Sequence, residues 1–83
     1  MPLKHIGNCD NKKVYVTPYS DWRLSLRHVT YDEALKTLVK REVSYPVDKE
    51  GRQKIRSMVG AKKTFLTIVE DDEKIIIITG GEA

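Results

Sequence analysis

Two groups of basic residues have the types and spacing to hold a phosphate. A helix beginning near Pro18 places Tyr19, Arg23 and Arg27 at i, i+4 and i+8. Each step turns about 40° around the axis, so the three make one stripe. Two guanidiniums on adjacent turns suit a phosphodiester, which they can bind through paired hydrogen bonds. The competing arrangement pairs them with carboxylates of a sheet, or lays their stems along the edge of the core. The second group is Arg52, Lys54 and Arg56, which share one face of a strand at a repeat of about 6.6 Å. That pitch is near the phosphate repeat of an extended single strand, so Arg52, Lys54 and the following Lys62 and Lys63 are RNA-binding candidates. The same charges would equally serve an edge that resists strand-to-strand aggregation. Tyr15 and Tyr45 have rings that could stack on bases or simply pack.

The remaining chemistry is sparse. His28 falls where the first helix ends, a place favourable to an imidazolium through the helix dipole. His5 lies in a polar N-terminal stretch. No His-x-x-x-His, Cys-x-x-Cys or carboxylate pair has metal-ligand spacing, and no glycine-rich loop precedes a helix. Neither a metal nor another cofactor is therefore expected. One cysteine, Cys9, can form no internal disulfide, which makes a reducing, cytoplasmic setting the expectation.

The elements that must position these groups fit one domain, because 83 residues leave no room for a second core. Residues 1–13 are polar and turn-forming, and read as a tail or weak hairpin, with the single domain over residues 14–83. Residues 14–17 form a β-branched run stopped by Pro18. Ser20 is a candidate N-cap, after which Trp22, Leu26 and Val29 fall on one helical face and are expected to enter the core. Thr30 caps a second helix with Glu33 three residues on, and Tyr31, Ala34, Leu35, Leu38 and Val39 follow at helical spacing. Val43, Tyr45 and Val47 alternate as an edge strand. Residues 52–59 alternate again, with Gln53, Ile55, Ser57 and Val59 on the face toward the helices. Residues 64–69 and 74–79 complete the set, and the four isoleucines of the last mark it as central. The expected fold is α+β in the order β-α-α-β-β-β, with both helices on one face of a mainly antiparallel sheet. No apolar run approaches the length of a membrane helix, and the first residues lack the apolar core of a signal peptide.

Charge is unevenly placed. Residues 46–63 hold six basic side chains against Asp48 and Glu50, a net +4, whereas residues 64–83 carry a net −4. Such asymmetry steers an anionic partner to one side of the molecule.

Residues 16–30 resemble a pattern found in small bacterial and phage domains of unknown function, T-P-H-A-x-x-R-M-x-x-R-G-I-[ST]. Those domains are similar to the BrnT and RelE toxins of toxin–antitoxin modules. Thr17, Pro18, Arg23, Arg27 and Thr30 match, and Leu24 and Val29 are conservative replacements. The resemblance implies a RelE-like fold, metal-independent RNA cleavage with basic residues around the scissile phosphate, and a partner antitoxin. Two departures bear on the chemistry. Tyr19 stands in place of the pattern's histidine, and His28 in place of its glycine. A phenol with a pKa near 10 is a poor proton acceptor at neutral pH.

Two functions are therefore expected. In the first, a ribose 2′-OH attacks the adjacent phosphorus of RNA or ribosome-associated RNA. Arg23, Arg27 and Arg56 stabilise the phosphorane while Tyr19 or His28 moves protons. In the second, the domain is a non-catalytic regulator that binds a host protein, a cognate antitoxin or nucleic acid.

Overall fold

The computed structural model describes residues 2–82. Strand β1 (Lys4–Cys9) and strand β2 (Lys12–Val16) form an antiparallel hairpin. Its two turn residues, Asp10 and Asn11, both take positive φ, at 51° and 65°. Aspartate and asparagine tolerate that conformation, and it is the one a tight two-residue hairpin loop needs. Helix α1 (Pro18–Leu26) follows, and its N-cap is Thr17 rather than Ser20. Thr17 Oγ1 accepts from the Ser20 backbone N–H while Ser20 Oγ accepts from that of Thr17, with Pro18 at the first helical position. Helix α2 (Tyr31–Lys40) carries the expected Thr30–Glu33 capping box and ends at Arg41 in the left-handed region.

Strands β3 (Val43–Ser44), β4 (Arg52–Val59), β5 (Lys62–Glu70) and β6 (Lys74–Glu82) complete a six-stranded sheet of order β1-β2-β6-β5-β4-β3. The β2–β6 pair is parallel and the others are antiparallel. The fold is α+β, but its element order is β-β-α-α-β-β-β-β, so the expected β-α-α-β-β-β order is wrong. That order lacks two strands: one of the four that follow the helices, where β3 is only Val43–Ser44 rather than an alternation through Val47, and β1. The sequence of β1, KHIGNC, has no apolar alternation because little of it is buried, and pairing with β2 rather than hydrophobic patterning makes it a strand.

One face of the sheet holds the core. Val14 and Val16 of β2, Ile75 and Ile77 of β6, Leu66 and Ile68 of β5 and Ile55 of β4 are buried there with Leu24, Val29, Ala34 and Leu38. A short polar chain crosses this core, in which the Thr37 and Thr64 hydroxyls lie 2.6 Å apart and Thr37 donates to the Glu33 carbonyl. The C-terminal end of α2 is tied to the sheet by Arg41, which reaches both oxygens of Glu70, while Lys12 takes the same carboxylate from β2.

Helix α1 does not pack as its apolar spacing suggests. Its buried residues are Ser20 and Leu24, while Trp22 and Leu26 are 57% and 52% exposed. The reason lies in β6. Beyond Val16 the strand β2 has ended, and α1 sits against the stretch of β6 that β2 leaves unpaired. Gly80 and Gly81 offer no side chains there. A Cβ on Gly80 would lie 3.1 Å from a Leu24 methyl, and one on Gly81 would lie 2.9 Å from Arg27 Cγ. The helix rests on this glycine patch through Leu24 and Arg27, which turns Trp22 outward.

Candidate nucleic-acid interface

Neither described helix covers the second face of the sheet. Residues directly opposed in neighbouring antiparallel strands share a face, so the register sorts the side chains into rows. One row runs Gly81–Phe65–Arg56–Val43, with the stem of Arg27 against Gly81. The next runs Thr79–Thr67–Lys54, where the Lys54 carbonyl accepts from the Tyr45 N–H. A third runs His5–Tyr15–Ile76–Val69–Arg52 across five strands. Lys63 opposes Met58 on the same face. Apart from Gly81, which the Arg27 stem covers, the positions in these rows alternate with the buried ones, which follows from the two-residue period of a strand. None of them is an aspartate or glutamate.

The contacts on this face link cations to rings. Lys54 Nζ stands 5.4 Å from the centroid of the Phe65 ring. Arg56 Nη1 donates to the Tyr45 hydroxyl at 3.4 Å. His5 and Tyr15 have ring centroids 5.5 Å apart. Arg52 has a carboxylate neighbour, Glu50, at 3.5 Å. Among the described residues, no carboxylate lies within salt-bridge distance of Arg23, Arg27, Lys54, Arg56 or Lys63. Arg23, one turn before Arg27 on the same flank of α1, has a buried Nε without a hydrogen-bond partner. The surface is thus a half-apolar sheet with several cations outside any ion pair, rimmed on one side by the arginines of α1. Beside Arg56, Met58 and Lys63 the rim includes the Glu42 carboxylate, which accepts from the Met58 N–H.

The residues singled out from sequence divide between two sides. Arg27 and Arg56 come onto one face, two strands apart, and Lys54, Arg52 and Lys63 join them. Tyr19 turns outward, its ring 5.9 Å from that of Trp22. His28 lines a separate, open groove of about 910 Å³ between the helices with Trp22, Ser25 and Tyr31. In this groove the Tyr31 hydroxyl donates to Asp21 at 2.5 Å and accepts from Lys4 at 2.9 Å. Lys62 also belongs to the helix side. Its ammonium donates to the His28 carbonyl at 2.6 Å and pairs with Glu33 at 3.0 Å. The Thr30 backbone N–H bonded to Glu33, with Lys62 beside it, holds the Glu33 carboxyl below its ordinary range. Phe65 is not among the candidates that the sequence offers. Its signal was the alternation with Leu66, but only the register shows which of the two faces the helices.

Compared with protein-family models, curated proteins and solved structures, the chain matches none.

Proposed function

We propose that this protein binds single-stranded RNA on the uncovered face of its sheet, without cleaving it. The observation that carries the reading is the cross-sheet row in which Arg27 and Arg56 flank Phe65, on a face whose rows contain no carboxylate. Guanidiniums take phosphate oxygens through paired hydrogen bonds, and the half-buried ring and aliphatic side chains accept the flat faces of bases. A positively charged groove with rings along it is the general solution for a single strand, whose bases are free to leave their stack. The choice of RNA over DNA rests on the resemblance of residues 16–30 to the toxin-like domains. The absence of cleavage rests on the two candidates for moving protons: His28 lines the groove between the helices, and the Tyr19 phenol is a poor proton acceptor at neutral pH.

The test is fluorescence anisotropy of a labelled oligouridine of about ten nucleotides, in EDTA, over a salt series from about 50 to 200 mM. Binding should weaken linearly on logarithmic axes, with a slope of about −0.7 for each phosphate engaged. Arg27→Gln and Arg56→Gln should each weaken it by about tenfold at the low-salt end. No binding at low salt, or full binding by both variants, overturns the proposal. RNA fragments with cyclic phosphate ends would replace it with the nuclease reading.

A further inference from the structure

We infer that Phe65 is a stacking platform for one unpaired base, and that the bound strand crosses the sheet from Arg27 to Arg56 instead of running along β4. This rests on the RNA-binding reading and adds to it the path of the chain and the base-binding position. Neighbouring strands lie about 4.8 Å apart, so Gly81 and Arg56 stand about 10 Å apart with Phe65 midway between them. A base on the ring then has a guanidinium on either side, one for the phosphate preceding it and one for the phosphate following. A path along β4 offers three cations in line but no ring within the strand, since the residues between them face the core.

Two further features fit the crossing path. Gly81 carries no side chain beside Phe65, and a Cβ there would collide with Arg27. The glycine therefore holds the Arg27 stem close to the row. Lys54 now stands over the Phe65 ring. An exposed cation–ring contact is weaker than base stacking, so a base displaces the ammonium, which becomes free for a phosphate. Stacking of this kind accepts any base and excludes a duplex, whose bases are already stacked.

The experiment compares an oligouridine with an abasic oligomer of the same length and charge, using wild type and Phe65→Leu. Wild type should bind the oligouridine more tightly. Phe65→Leu should lose about tenfold on it and nothing on the abasic chain, with the salt slope unchanged. Equal losses on both oligomers, or none on the oligouridine, overturn the inference. A melting curve checks that Phe65→Leu is folded. Phe65→Trp in a Trp22→Phe background gives a second readout, because a stacked base quenches its emission and an abasic chain does not. Unquenched emission with oligouridine bound also overturns it. If wild type binds neither oligomer, the RNA-binding reading itself has failed. If it binds both and Phe65 is silent, only the path and the platform have failed.

Discussion

Replacing Arg23 with methionine should make the protein more stable and a poorer RNA binder at once. The Nε of Arg23 is buried without a hydrogen-bond partner, and a donor left in that state costs about 1–3 kcal/mol. Methionine keeps a flexible stem of similar reach and removes the donor. Arg23 is half-buried rather than enclosed, so the lower end of the range applies, about 1 kcal/mol. In a domain of this size that raises the melting temperature by about 4–8 °C. The same change deletes one cation from the rim of the open face. The salt slope for oligouridine should therefore shrink by about 0.7. Thermal unfolding by circular dichroism and the anisotropy titration read the two effects separately. A lower melting temperature would refute the argument from the unsatisfied donor. A higher one with an unchanged salt slope would show that Arg23 is not part of the RNA-binding surface.

Two other outcomes follow from the packing. The Arg41 guanidinium, and after it Lys12, hold the Glu70 carboxyl below its ordinary value of 4.5. A carboxyl depressed in the folded state contributes stability above its unfolded pKa and loses it as pH falls through the folded value. The wild-type melting temperature should therefore drop as pH falls below about 4.5. Glu70→Gln should cost about 1–2 kcal/mol at neutral pH and flatten this acid limb; an equally steep limb in the variant would contradict the assignment. Trp22→Ser should change stability by no more than about 0.5 kcal/mol, as expected of an exposed side chain. A loss of about 3 kcal/mol or more, as for a core tryptophan, would place the indole inside after all.

Much of the chain reads directly from its residues. In α2 the capping box at Thr30 and Glu33 and the spacing from Tyr31 to Val39 specify one helix, and Gln53, Ile55 and Ser57 turn to the helices as their alternation requires. Other parts depend on partners distant in sequence. The nine residues of α1 offer two stripes, one through Trp22 and Leu26 and one through Ser20 and Leu24. The glycines at 80 and 81 decide between them, more than fifty positions later. The candidate site divides in the same way. That Arg52, Lys54 and Arg56 share a face follows from a strand's period alone. That Arg27 joins them, while His28 and Lys62 do not, depends on the pairing of β5 with β6 and on the side of the strand that α1 occupies.

The parallel pairing of β2 with β6 has a consequence for how the molecule is made. Without residues 74–82, the N-terminal hairpin and the β3–β4–β5 meander share no ladder, because β6 is the strand that joins them. A ribosome must therefore release nearly the whole described length before one continuous sheet can close, and until then two half-sheets wait with open edges.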